Sequence, residues 1–467
     1  MKVLRWLAMA FALVGVAVHA QAPRRVSLLV TGGIVVTVDE ARHIYNLGAV
    51  AIDGTDIVGV GAAADVASRF RGAEQINAAG SVVIPGLINT HTHAPMVLYR
   101  GLADDLPLQQ WLEKYIFPAE ARTVSREMVR VGTNLAAAEM IESGTTTYAD
   151  MYYFEEEIAR ATKAAGLRGV LGQTIIQFPV ADAKTPAEGL ARTEAFIKEF
   201  AHDDLITPAV APHAPYTNDA KTLQAARAMA TRYAVPLIIH LAETNTELKE
   251  SQAAHGGLSP VAYLDSIGFF GPRTLAAHVV WTSPADVAIL KSRQVAISHN
   301  PESNMKLASG VAPIPAYLAA GLTVGLGTDG AASNNDLDMF EAMRQAAFLH
   351  KVQTGDPRVI PAGTALDMAT IGGAKALGLD KQIGSLEVGK RADIVVVSMS
   401  SARQTPLYDA VSHLVYATHG DDVRTVIVNG KVLMRDRRLR TLNEAAVIAE
   451  AKKLADSVRA AVNPGSR

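Results

Sequence analysis

Apolar positions along this chain follow two rhythms, and the change between them divides it. From residue 26 to 80, short apolar runs alternate with turns. Val26–Val30 and Ile34–Val38 flank Thr31-Gly32-Gly33, which predicts a hairpin-like break. Gly48–Val60 folds back around Asp53-Gly54, a turn dipeptide between two strands. The same rhythm returns near the other end. Asp393–Ser398 reads as a strand, and Val426–Val428 runs through Asn429-Gly430 into Val432–Met434. These segments, 21–80 and 381–440, are expected to form the two halves of one small β-sandwich domain.

Between them, over 81–380, the pattern becomes strand, loop, helix, repeated. Eight apolar runs stand out: Val82–His93, Thr145–Met151, Gly169–Ile176, Ile206–His213, Pro236–His240, Thr274–His278, Val295–His299 and Thr323–Asp329. Helical stretches separate most of them. Val124–Ser143 carries apolar residues at three-to-four spacing, and Ala220–Tyr233 is rich in alanine. Eight alternating units predict a parallel sheet closed into a (β/α)₈ barrel. Residues 441–467 are expected to add an amphipathic helix with a frayed end.

The runs end in chemistry. Ser81–Ile84 leads into Pro85-Gly86-Leu87-Ile88-Asn89-Thr90-His91-Thr92-His93. Side chains alternate along a strand, so His91 and His93 project the same way and can grip one metal ion. Later runs end in His213, His240, His278 and Asp329, each where apolar sequence gives way to a loop. Periodicity alone also allows an open sheet. Only a closed barrel brings so many strand ends to one point.

Composition narrows the classes. The 467 residues carry a formal net charge of −2 with Lys and Arg scattered, which argues against nucleic acid or an anionic membrane as partner. There is no cysteine, so thiolate zinc sites, disulfides and a cysteine nucleophile are excluded together. Residues 1–20 read as a signal peptide: Lys2 and Arg5 are followed by the apolar Trp6–Val18 and by Val18-His19-Ala20, a small-x-small cleavage site. The expectation is a soluble enzyme exported to the periplasm or beyond, with self-association left open.

Taken together, Pro85–Met96, His240-Leu-Ala-Glu243-Thr, Ser298-His-Asn-Pro-Glu-Ser-Asn-Met-Lys-Leu and Gly327-Thr-Asp-Gly-Ala-Ala-Ser-Asn-Asn resemble the amidohydrolase superfamily. Within it they are most similar to the methylthioadenosine/S-adenosylhomocysteine deaminases and related chlorohydrolase-like enzymes. Gly384–Asp393 matches the family's return into the small domain. The resemblance implies one divalent metal, zinc or else ferrous iron, held by His91, His93, His240 and Asp329. Such a metal lowers the pKa of bound water to about 7. It further implies that Asp329 accepts the water proton, Glu243 protonates the substrate ring, and His278 holds the water. His213, Trp111 and Glu120 match substrate-contacting positions, Glu120 toward ribose hydroxyls. Whether Trp111 covers a base or anchors a lid stays open. His299, Asn300 and Ser303 follow strand seven, either as supports for the site or as structural caps.

Two strand ends narrow the reading, the first in metal number and the second, a departure from the family, in substrate. The fourth strand ends Ala209-Val-Ala-Pro-His213 without the lysine that bridges two metals, so one metal is expected. Strand three reads Arg168-Gly-Val-Leu-Gly-Gln173, without an arginine that approaches substrate in several members. A neutral nucleoside or free base is therefore favoured. The expected activity is hydrolytic deamination of a purine nucleoside or related heteroaromatic ring. Guanine, 8-oxopurine, pyrimidine and triazine rings are the near alternatives. Amide hydrolysis and a periplasmic purine-binding protein are the far ones.

Overall fold

A computed structural model describes residues 22–462; the leader read at residues 1–20 and the tail 463–467 lie outside the described residues. Among the described residues no helix is long and apolar enough to cross a membrane.

The amino-terminal segment supplies five strands: β1 (Arg24–Val36), β2 (Ile44–Asp53), β3 (Asp56–Ala62), β4 (Phe70–Asn77) and β5 (Ser81–Pro85). The break expected at Thr31-Gly32-Gly33 is not a hairpin. β1 runs straight through it with bulges in its pairing to β2. The reason is local: Gly32 takes φ +93°, and a Cβ on Gly33 would meet the Ala78 carbonyl at 2.8 Å. The two glycines therefore let one long strand bend and change partners, β4 along its first half and β5 along its second. The Asp53-Gly54 turn between β2 and β3 forms as expected.

The barrel follows: β6 (Leu87–Thr92), β7 (Thr145–Tyr152), β8 (Arg168–Ile175), β9 (Ile206–Pro212), β10 (Leu237–Leu241), β11 (Thr274–His278), β12 (Ala296–His299) and β13 (Val324–Leu326). They pair in parallel in sequence order. The run expected as one strand, Val82–His93, divides at Pro85-Gly86. Its first part, β5, belongs to the small sheet, and a Cβ on Gly86 would lie 2.0 Å from Thr146 Oγ1. β13 closes on β6 by side-chain and loop bonds: Thr90 Oγ1 donates to the Leu326 carbonyl and Asp329 N to the His91 carbonyl. Ile88, Val170, Ile238 and Leu275 fill the interior, with Ala374 and Leu377 of the helix Ile371–Leu377 packed among them.

The chain then returns through β14 (Ile394–Ser398), β15 (Val423–Val428), β16 (Lys431–Arg435) and β17 (Arg438–Leu439). β14 pairs antiparallel with β5, so both chain ends build one nine-stranded sheet. The expected terminal helix spans Glu444–Val462 and packs on the helices Phe117–Thr123 and Arg126–Glu142.

Barrel and sheet are joined by a buried ion pair. Arg168 Nε, at the start of β8, donates to Asp393 Oδ2 at 3.1 Å, and Asn429 N donates to Asp393 Oδ1 at 2.6 Å. Both side chains are buried, so removing one leaves the other charge unpaired and dry. Asp393→Ala is expected to lower the stability by about 3–5 kcal/mol in denaturant unfolding. A loss under about 1 kcal/mol would show that the pair carries no such strain.

Candidate active site

The carboxyl-terminal strand ends do meet. His91 Nε2 and His93 Nε2 each lie 3.4 Å from Asp329 Oδ1, and His240 Nε2 lies 3.3 Å from His93 Nε2. The structure brings together the four groups that the resemblance implied, and each sits at or just past the end of β6, β10 or β13. Gly327 allows the approach of β13, because a Cβ there would stand 2.9 Å from His91 N and 2.5 Å from Asn300 Oδ1. Asp329 itself is turned inward by a left-handed backbone, φ 65°.

Backbone carbonyls fix the rings. His93 Nδ1 donates to Met151 O at 2.7 Å, and His240 Nδ1 donates to His213 O at 2.8 Å. A carbonyl can only accept, so each neutral ring turns the lone pair of its Nε2 toward the centre. Two such lone pairs 3.3 Å apart repel unless a cation lies between them. His91 Nε2 is buried with no hydrogen-bond partner, the orphan expected of a ligand atom. Burial lowers the His91 pKa to about 4, and burial with the neighbouring imidazoles holds His240 well below the usual range. Neutral imidazoles and one carboxylate are the donor set that a borderline-soft divalent metal takes. The residues present therefore fit such an ion.

Glu243 stands beside this cluster. It is buried, and its Oε1 accepts from Ser309 Oγ at 3.1 Å. Burial raises its pKa above the usual carboxylate range. His278 Nε2 lies 3.7 Å from Glu243 Oε2 and 3.9 Å from Asp329 Oδ2, between the two carboxylates. Its Nδ1 donates to Asn304 Oδ1 at 2.8 Å. Burial opposes its charge, but Glu243 and Asp329 outweigh burial and raise its pKa.

A cleft opens over the cluster. Trp111 and Glu120 line it from a lid made of Leu108–Trp111, a turn of π-helix over Leu112–Ile116, and Phe117–Thr123. π-turns of this kind concentrate at functional sites. His213 lines the cleft with its ring edge-on to Phe117. Glu120 is buried and accepts from Tyr152 OH at 2.7 Å; burial raises its pKa to about 7. Ser303 Oγ donates to Asp329 Oδ2 at 2.7 Å, and Asn300 approaches His278 Nδ1 at 3.4 Å, so both support the site. His299 does not. It turns to His350, with the two Nε2 atoms 3.1 Å apart.

Sequence reasoning passed over Tyr152, Asn304, Ser309 and Glu247. Glu247 had a readable signal: Thr244-x-x-Glu247 is the spacing of a helix cap. Thr244 Oγ1 accepts from Glu247 N, and the Glu247 carboxylate accepts from the backbone N of Ala242 and Glu243. That ties the Glu243 backbone to the helix that follows it.

Residues 82–433 match the model of the amidohydrolase family. A 5-methylthioadenosine/S-adenosylhomocysteine deaminase of Syntrophobacter fumaroxidans is 47% identical over 435 residues, covering 93% of this chain and 99% of the relative. A 5'-deoxyadenosine deaminase of Methanosarcina mazei is 44% identical over 438 residues, covering 93% and 99%. The crystal structure of an adenosine deaminase from Xanthomonas campestris with bound zinc superposes with a TM-score of 0.92. It is 40% identical and covers 94% of this chain and 99% of that one. With the histidine and aspartate strand ends and this degree of likeness along the whole chain, the protein belongs to the amidohydrolase family.

Proposed function

We propose that this protein is a hydrolytic deaminase of adenosine-type nucleosides that works with one zinc ion. The observation carrying the reading is the pairing of two acids in one cleft. Glu243, its pKa raised by burial, lies beside the histidine cluster, and Glu120 waits toward the lid. An ion held by His91, His93, His240 and Asp329 would supply a Lewis acid that makes water nucleophilic near neutral pH.

The chain's own residues account for the rest. As water attacks the amino-bearing ring carbon, charge develops on the adjacent ring nitrogen. Glu243 gives that nitrogen its proton, and Asp329 takes one from the attacking water. His278, between the two carboxylates, holds the water in line and lets a proton cross. Asp329 passes its proton to the amino group, the carbon–nitrogen bond breaks as ammonia leaves, and the hydroxyl proton returns to Glu243 as the keto ring forms. Glu120 accepts from the ribose hydroxyls, and Trp111 closes the cleft against bulk water.

Relatives named for methylthioadenosine, S-adenosylhomocysteine and 5'-deoxyadenosine support the substrate class, and the Xanthomonas structure supports zinc. Ammonia release across a panel of purines, pyrimidines and their nucleosides tests it. Adenosine-type nucleosides should turn over fastest. A preference for guanine, pyrimidine or triazine rings would replace the reading.

Glu120 gives the binding step a pH signature. Its pKa of about 7 means that the carboxylate is present above that pH and is lost below it. KM for adenosine-type nucleosides should rise by about tenfold between pH 8 and pH 6, as a single proton requires. Free adenine, with no ribose, should show no such rise, and Glu120→Gln should remove the slope. A flat KM for the nucleosides would put Glu120 outside the binding step.

A further inference from the structure

The cleft does not end at Glu120. Phe117, Glu120 and Tyr153 also line a second, smaller cavity, completed by Phe178, Val180 and Ala181 from the loop after β8. Phe117 packs edge-on to Phe178 at 5.3 Å between ring centroids, forming an aromatic wall. Apart from the Glu120 carboxyl and the Tyr153 hydroxyl, the side chains facing this space are carbon. Among the described residues, no lysine or arginine lines either cavity.

The arginines of the adjoining elements are engaged elsewhere. Arg192 pairs with Glu156 at 2.9 Å and Asp182 at 3.2 Å, and Arg126 pairs with Glu156 at 2.7 Å. Arg122 donates to the Ala461 carbonyl at 3.1 Å. Arg168 holds Asp393 where β8 begins, whereas the cavity lies beyond the strand's other end. Gln173 is turned away as well. Its Nε2 donates to Asp182 Oδ2 at 2.9 Å, and its Oε1 accepts from Glu155 N at 3.4 Å.

A nucleoside whose base meets Glu243 and whose ribose hydroxyls meet Glu120 has one arm left, its 5' substituent. The space that begins at Glu120 is the second cavity. Resting on the reading above, we infer that this cavity receives the 5' substituent and selects an uncharged, apolar one over an amino-acid tail. An alkylthio or deoxy group buries carbon against Phe117 and Phe178. A homocysteine carboxylate would enter a carbon-lined space beside the Glu120 carboxylate with no cation in its lining, and an unpaired charge is excluded from such a space.

The test is kcat/KM on the metal-loaded enzyme for four substrates: 5'-deoxyadenosine, 5'-methylthioadenosine, 5'-butylthioadenosine and S-adenosylhomocysteine. The butylthio compound matches the homocysteine arm in reach and lacks its charges. The first three are expected within about tenfold of one another and S-adenosylhomocysteine at least about a hundredfold lower, the scale on which an unmatched polar group is rejected. Ala181→Arg, which places a cation at the cavity's exposed side, should raise the ratio of S-adenosylhomocysteine to 5'-methylthioadenosine at least about tenfold. Equal turnover of the butylthio compound and S-adenosylhomocysteine would overturn the inference while leaving deamination intact. So would equally poor turnover of both, which would make length the selector, or an unchanged ratio in the arginine variant. No turnover of any of the four would overturn the deaminase reading and the cavity's role with it.

Discussion

Glu243→Gln is expected to lose at least about a hundredfold in turnover while the metal content stays at that of the parent enzyme, the scale for losing a general acid–base group. The structure separates the two properties. Glu243 is not among the groups whose ligand atoms cluster, and its Oε2 lies 3.7 Å from His278 Nε2. Glutamine keeps the size of the side chain and can still accept from Ser309. It cannot give up a proton, so the ring nitrogen is left charged in the transition state. KM should change far less than kcat, because the ribose contact at Glu120 is untouched. Near-normal turnover with metal bound would make Glu243 a bystander.

The second large effect is on metal. The purified protein should carry about one divalent ion per chain, as four converging groups around one point require. His240→Ala should lose most of it. His240 meets His93 at 3.3 Å, and its ring is fixed by the His213 carbonyl, so alanine removes a neutral donor that nothing nearby replaces. Asp329→Asn should weaken both metal and rate, because it removes the one anionic ligand and the acceptor of the water proton together. Metal analysis on parent and variants checks this. Two tightly held ions per chain would contradict the single-metal site and bring amide hydrolysis back into contention.

The strand ends were legible because a titratable residue at the end of an apolar run has few other reasons to be there. His91, His93, His240, His278 and Asp329 all stood in that position, and all meet in space. The barrel was legible for the same reason, since its strands are short buried runs between helices. What failed was local. The glycines at 32 and 33 looked like a turn and instead bend one strand, a choice made by the close approach of Ala78. β5 looked like the start of the barrel because it is as apolar as β6. It joins the other sheet through β14, more than three hundred residues away in sequence. The supports of the site were hidden for a similar reason. Ser309 reaches Glu243 from a loop and Asn304 reaches His278 from the short helix Pro301–Lys306, and no spacing rule links either to its partner. The lid's π-turn leaves no mark in the apolar pattern, although it sets Trp111 and Glu120 on one cleft.

The central claim is hydrolytic replacement of an amino group on an intact nucleoside. It is tested most directly by running 5'-methylthioadenosine with the metal-loaded enzyme in water enriched in heavy oxygen, with mass analysis of the product and an ammonia assay on the same sample. One ammonia should be released per nucleoside consumed and one heavy oxygen should appear on the purine ring, with the bond between base and sugar unbroken. Free base and sugar, or product without the label, would contradict it.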